Sequence, residues 1–140
     1  MKIESATIQP HYVLEPLDGG KVRVSLYANQ EEIITEDGSH YLYDHYVVEA
    51  IDRPQLAAYI SGNLDAWVAA AAEQEYNEVA AEARKARNAL IAETDYLLEA
   101  DYPISKAEKA KWTTYRQALR DVPEQPGFPY EIVWPVKPTK

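Results

Sequence analysis

The sequence predicts an α+β fold, in which a small N-terminal antiparallel sheet precedes a helical C-terminal region. Glycine-containing turns separate segments of alternating polarity before residue 52, and neither glycine nor proline occurs from Leu64 to Leu98. Five prolines follow residue 122. We therefore expect a sheet of three or four strands, a long central helix, and a C-terminal antiparallel helical hairpin closed by a proline-rich extended strap.

Two turn sequences define the expected strands. Residues 18–20, Asp-Gly-Gly, follow the strand-forming residues 11–15 and precede strict apolar–polar alternation over residues 22–26. Glycine tolerates the positive φ that tight hairpin turns require, so this pattern is typical of a β-hairpin. A second turn at residues 36–39 precedes further alternation in residues 40–49, which indicates another strand.

The first helix is expected to begin at Arg53-Pro54, with Asp52 as its N-cap, because proline is tolerated in a first helical turn. Residues 61–63, Ser-Gly-Asn, indicate either a kink near residue 62 or a stop followed by a new start. Beyond them, apolar residues recur with a mean spacing close to the 3.6-residue period of an α-helix, as far as Leu98. A helix of this length is expected to project from the fold or to pack against a partner.

A second helix is expected after the Asp101-Tyr102-Pro103 break. Residues 105–108, Ser-Lys-Ala-Glu, have the spacing of a capping box, and the helical pattern continues to about Asp121. Its apolar face is expected to pack on the end of the long helix through Trp112, Tyr115 and Leu119. The prolines after residue 122 exclude a further helix, and the apolar residues among them indicate an extended strap.

The charges are distributed unevenly along the chain. Residues 1–52 contain ten acidic and three basic side chains, a net charge of −7, whereas residues 53–140 have a net charge of −2. This difference predicts a boundary near residues 51–54. The expected regions are an acidic β region at 1–52, a long helix at 53–98, and a second helix with the strap at 99–140 that forms one module with 87–98.

The composition excludes several classes of protein. The chain has no cysteine, so it has no disulfide, no thiolate metal site and no cysteine nucleophile. It contains neither the ~18-residue apolar run of a membrane span nor a secretory signal sequence, so we expect a cytoplasmic protein. The net charge of −9 disfavours nucleic-acid binding, because such binding depends on Lys and Arg.

The residues that could perform catalysis do not form a recognisable site. His40 and His45 are five residues apart in an expected strand and so point to opposite faces, which argues against a shared metal ion. The pairs Ser39-His40 and Asp44-His45 contain the residue types of a catalytic triad, but neighbouring side chains in a strand diverge. We expect no catalytic, metal or cofactor site and no enzymatic activity.

Tyrosine is unusually frequent, with eleven tyrosines against one phenylalanine. Tyrosine suits positions that are apolar on one side and hydrated on the other, which include protein interfaces. Tyr41, Tyr43 and Tyr46 fall in one expected strand and are the candidate partner-binding residues. Packing in the core and at the rim of a small domain is the alternative explanation.

The C-terminal third contains a recognisable motif. It comprises Arg-Asn-Ala-Leu-Ile at 87–91, Asp-Tyr-Pro-Ile-Ser at 101–105, Tyr-Arg-Gln-Ala-Leu-Arg-Asp at 115–121 and Phe-Pro-Tyr-Glu-Ile-Val-Trp-Pro at 128–135. The region 87–137 resembles the phage tail assembly chaperones, also known as tail fibre assembly proteins. The motif residues are Asp95, Tyr96, Trp112, Tyr115, Arg116, Leu119, Arg120, Asp121, Phe128 and Trp134.

The chemistry of these motif residues predicts an architectural role. Arg116 and Arg120 lie one helical turn apart, where they could pair with Asp95, Glu99 and Asp121 and fix the register of the two helices. Phe128 and Trp134 are expected to cover the open side of the helix pair. Many members of the family have tryptophan where this chain has Tyr96.

The resemblance implies a non-enzymatic chaperone or adaptor of a phage or prophage, which binds a tail or tail fibre protein during morphogenesis in the host cytoplasm. The alternative is a structural tail or baseplate component of the virion, in which the long helix forms a homo-oligomeric coiled coil or bundle. A weaker alternative is an acidic DNA mimic that inhibits a host protein. No cofactor, nucleic-acid ligand or membrane is expected as a partner.

Overall fold

A computed structural model describes residues 2–139 and shows the expected α+β class. The strands are β1 Lys2–Ser5, β2 Tyr12–Leu17, β3 Lys21–Thr35 and β4 Gly38–Ile51. The helices are α1 Leu56–Gly62, α2 Leu64–Ala92 and α3 Lys106–Arg120, with 3-10 turns at Asp95–Leu98 and Val122–Glu124. None of the helices described combines the length and apolar character needed to cross a bilayer.

The four strands form one antiparallel sheet with the order β1-β4-β3-β2. Both predicted turns are present, and Gly19, Gly20 and Gly38 adopt φ values of 74°, 72° and 125°. The long hairpin of β3 and β4 forms the centre of the sheet, and its register shifts between Ala28 and Glu31. Such a bulge bends and twists the strands locally.

The sequence pattern did not predict strand β1. The strand has only four residues, two of them charged and most of them exposed, so its sequence gives no strand signal of its own. They become a strand because they pair with residues 41–44 of β4.

One face of the sheet forms the N-terminal core. The alternation in residues 22–26 buries Val22, Val24 and Leu26, as predicted, against Leu56 and Ile60 of α1 and the start of α2. Val24, Leu26 and Ile60 are completely inaccessible to solvent. Removing this apolar surface from water is the main favourable contribution to folding here.

The start of α1 was predicted wrongly, because the helix begins at Leu56 and not at Arg53. The amide of Asp52 donates to the Gly20 carbonyl at 2.8 Å, which makes Asp52 an extension of the sheet ladder. Gln55 has a φ of 64° and makes no side-chain capping bond. Of the two alternatives for residues 61–63, a kink or a stop followed by a new start, the structure shows the second, since α1 ends at Gly62 and α2 begins at Leu64.

The long helix also ends earlier than predicted, at Ala92 and not at Leu98. The Thr94 hydroxyl donates to the Ile91 carbonyl at 2.9 Å, which satisfies a carbonyl group that helix termination leaves free. The predicted capping box of α3 is confirmed: Ser105 Oγ accepts from the Glu108 amide, and the Glu108 carboxylate accepts from the Ser105 amide, both at 3.1 Å.

A second core lies in the C-terminal unit. As predicted, Trp112, Tyr115 and Leu119 of α3 are buried against Leu97 and Leu90, with Ile91, Tyr102 and Ile104 around them. The chain divides into two compact units, one up to Glu75 and one from Tyr76. The change in charge near residues 51–54 therefore falls inside the first unit.

We predict that Trp112→Ala lowers the free energy of unfolding by about 3–5 kcal/mol, the usual cost of truncating a large buried aromatic side chain. Trp134→Ala is the matched control, because Trp134 retains 38% of its exposure against 6% for Trp112. Denaturant unfolding of both variants measures the difference. Equal losses would show that Trp112 does not carry the second core.

Candidate partner-binding surfaces

The family motif centres on one buried cation, Arg116 of α3, which is 6% exposed. Its Nη1 donates to the carbonyl of Ile91 at 2.7 Å and to Thr94 Oγ1 at 2.8 Å. Its Nη2 lies 2.7 Å from Oδ1 of Asp95. A cation is favoured here because the last carbonyl groups of a helix carry partial negative charge.

The three contacts of Arg116 differ in strength. Asp95 is 62% exposed, so water and salt screen its attraction to the guanidinium. The bonds to Ile91 and Thr94 lie in the protein interior, where an unpaired polar group is costly. Arg116 therefore acts mainly by attaching α3 to the end of α2.

The expected pairing of Arg116 with Asp95 is present, but that of Arg120 is absent. Arg120 is exposed, and within residues 2–139 no acidic side chain forms an ion pair with it. Asp121 instead accepts a hydrogen bond from Gln117 at 2.8 Å and serves as the C-cap of α3. Tyr96 is 45% exposed, and its ring packs edge-on against Tyr102.

The expected cover of Phe128 and Trp134 is only partly formed. Phe128 is half-buried, with the Arg84 guanidinium 5.3 Å from its ring centroid, whereas Trp134 keeps 38% of its exposure. Val133 and Val136 are 79% and 91% exposed. We call Val133, Trp134 and Val136 the C-terminal apolar segment.

Two sets of polar contacts flank this segment. The Gln125 side chain donates to the Val133 carbonyl and accepts from the Val133 amide, each at 2.9 Å. Further along the chain, Lys137 Nζ lies 3.3 Å from a carboxylate oxygen of Glu93, the residue that follows the end of α2. The segment is thus held at both ends while its apolar side chains face solvent.

These features lie in the part of the chain that resembles a known family. Residues 80–139 match the phage tail assembly chaperone protein family. This match confirms the resemblance inferred from residues 87–137, and it implies a non-enzymatic chaperone in tail morphogenesis. No curated protein and no solved structure significantly matches the chain.

The structure does not bring the three candidate tyrosines together. Tyr43 is only 8% exposed, and its ring lies 5.4 Å from that of Tyr27. Tyr46 pairs with Leu26 and packs against the N-terminal core. Odd and even residues of a strand face opposite sides, so Tyr46 points away from Tyr41 and Tyr43. The three tyrosines therefore do not form one exposed surface. Tyr41 is half-buried and pairs with Ser5, and its contact with a partner stays a prediction.

The histidines occupy separate environments. His40 Nε2 lies 3.6 Å from a carboxylate oxygen of Glu4, whereas His45 stacks on Tyr27 with ring centroids 4.8 Å apart. Over residues 2–139, no group of three or more His, Asp and Glu side chains is arranged to hold a metal ion.

Sequence reasoning missed two exposed apolar surfaces. One is formed by the valines of the C-terminal apolar segment, which had been grouped with the strap. The other is formed by Val47 and Ile51 on β4, which are 50% and 78% exposed. Their alternation was visible in the sequence, but exposure depends on which strands and helices the fold places beside them.

We predict that Arg116→Ala destabilises the protein by at least about 2 kcal/mol, because a buried polar group left without its partner costs about 1–3 kcal/mol. Asp95→Asn removes only the exposed ion pair, so its loss should stay below about 1 kcal/mol. Denaturant unfolding at low and high salt measures both. The expected order would be contradicted if Asp95→Asn were as damaging as Arg116→Ala.

Proposed function

We propose that the protein is a tail assembly chaperone that binds an aggregation-prone segment of a tail or tail fibre protein in the cytoplasm of the bacterial host. The family match over residues 80–139 carries the proposal. The C-terminal apolar segment lies within the matched region and provides a surface for the contact. Exposed contiguous apolar side chains on a small protein commonly mark interaction sites.

The chemistry of this segment suits a chaperone. Val133, Trp134 and Val136 offer apolar contact area, and the indole can bind through both its ring and its N–H group. Pro135 and Pro138 lack backbone donors, so the segment is poorly suited to pairing with copies of itself as a strand. A surface of this kind binds apolar partner segments without promoting its own aggregation.

We infer that the functional unit of the family is a helical hairpin closed by the extended strap. The hydrogen bonds of Arg116 to the end of α2 support the packing of α3 on that helix. The rings of Tyr130 and Tyr76, 6.3 Å apart, support a strap that lies along the second half of α2. Homo-oligomerisation through α2 stays a prediction, which light scattering of the purified protein tests.

The proposed function is tested by expressing an affinity-tagged copy in phage-producing cells and identifying the bound proteins by mass spectrometry. We expect a tail or tail fibre protein to be enriched, and purified virions to lack the chaperone. Stoichiometric presence in virions would favour the alternative, a structural tail or baseplate component. Recovery of a host DNA-binding protein, displaced by DNA, would favour the DNA mimic.

We predict that Trp134→Ala combined with Val136→Ser reduces recovery of the tail protein at least about tenfold, which corresponds to about 1.4 kcal/mol of binding free energy. Both side chains are exposed, so the free energy of unfolding should change by less than about 1 kcal/mol. A matched control is Ile34→Ser, which replaces another highly exposed side chain, 79% accessible, outside the matched region. Undiminished recovery with the double variant would exclude the C-terminal apolar segment as the contact.

A further inference from the structure

Strand β4 has an unpaired edge over Val47–Ile51. On that side, β1 pairs only with residues 41–44. In an antiparallel pair, every second residue directs its N–H and C=O groups at the neighbouring strand. The amide of Asp52 donates to the Gly20 carbonyl, so the even-numbered residues of β4 are the ones that bond to β3. The backbone groups of Val47, Glu49 and Ile51 therefore point away from β3, and no strand within residues 2–139 pairs with them.

The opposite edge of the sheet differs. On β2, the bond from the Tyr27 amide to the His11 carbonyl directs the backbone groups of Tyr12, Leu14 and Pro16 outward. Proline has no N–H group, so Pro16 interrupts that edge, a common protection against strand addition. The edge of β4 contains no proline and keeps every donor.

The side chains of paired residues indicate which residue types a further strand beside β4 needs. Glu15, Arg23 and Glu49 lie opposite one another on β2, β3 and β4 and form one row across the sheet, in which Arg23 Nη1 lies 2.9 Å from the Glu15 carboxylate. The signs alternate along this row, so a basic residue would continue it favourably. Lys21 also lies 3.4 Å from Glu49, but both side chains are more than half exposed.

The rows on either side of Glu49 end on apolar residues. Val47 and Ile51 lie two positions from Glu49 on the same face, with exposures of 50% and 78%. Apolar residues opposite them would bury this surface, and such cross-strand pairs stabilise a sheet.

We propose that the edge of β4 at Val47–Ile51 binds an extended segment of the tail protein as a fifth strand, with the pattern apolar–any–basic–any–apolar. The unpaired backbone groups supply affinity, and Glu49 between two apolar residues supplies selectivity. This inference rests on the proposed chaperone function. It places a second contact in the acidic region, which has a net charge of −7 over residues 1–52.

A second copy of the chain fits this edge less well. The antiparallel register that uses the whole free segment in both copies places Glu49 directly opposite Glu49. Like charges in that position destabilise a strand pair. The charge pattern thus favours a basic partner strand over self-association.

The direct test uses the isotope-labelled full chain and the capped peptide Thr-Val-Thr-Lys-Thr-Val-Thr, followed by NMR. We expect the amides of Val47, Glu49 and Ile51 to shift and to become protected from hydrogen exchange. The amides of Tyr46, Val48 and Ala50, which already bond to β3, should change little. The proposal would be overturned if the amides shifted uniformly, or if none shifted up to the highest peptide concentration that can be reached.

Three variants of the chain sharpen this test. Val47→Pro removes an outward donor without breaking a β3 bond, and should weaken peptide binding at least about tenfold. Val47→Thr keeps the donor and is the matched control. If Val47→Pro does not fold, Glu49→Lys serves instead, since it should reverse the preference toward a peptide with glutamate in place of lysine. An unchanged preference contradicts the proposal.

A coexpression experiment separates this inference from the function on which it rests. The chain is coexpressed with the tail protein that the affinity purification described above recovers, and the soluble yield of that tail protein is measured. If the wild-type chain does not raise the soluble yield of that protein, the chaperone function fails. If the wild-type chain and Val47→Pro raise the yield equally, the function stands and the strand-binding edge is wrong. Loss of the effect in Val47→Pro alone, with Val47→Thr active, supports both.

Discussion

Pairing between β3 and β4 is the interaction on which the N-terminal unit depends. Its register places Val22, Val24 and Leu26 on the face that α1 and the start of α2 cover. The same register assigns the charged row that contains Arg23 and Glu49 to the other face. Because a shift of one residue would exchange the two faces, burial of this apolar row determines which face of the sheet remains exposed. The open edge follows from the same pairing, since β1 covers only part of β4.

In the C-terminal unit, Arg116 has the corresponding role. Its guanidinium satisfies a carbonyl at the end of α2 and holds the side chain of Thr94, so the turn that follows and α3 share one polar anchor. Five of the ten motif residues belong to this anchor or to the core around Trp112. The exposed residues of the same region, Trp134 and its neighbouring valines, are the ones that packing does not explain. This division supports the proposal that the buried part of the motif provides stability and that its exposed part provides the partner contact.

Elements with strong local signals were predictable. The glycine turns, the capping box at Ser105 and the periodicity of α2 each depend on residues close in sequence, and all three are present. Predictions that depended on distant partners were less accurate. Asp52 was expected to cap a helix, but its amide bonds to Gly20 in the sheet. The helix predicted to reach Leu98 ends where Thr94 and Arg116 both donate to the carbonyl of Ile91. Tyr46 was grouped with Tyr41 and Tyr43, although residue parity alone separates it from them.

The sequence by itself determined the fold class, the turns, the start of α3 and the resemblance to tail assembly chaperones, because periodicity, turn chemistry and motifs are local properties of the chain. Only the tertiary structure decided which apolar residues remain exposed. Val47 and Val48 are neighbours of the same type, yet Val48 packs against the core whereas Val47 faces solvent beside an unpaired edge. The difference arises because burial depends on which elements the fold brings together, and residues distant in sequence determine that.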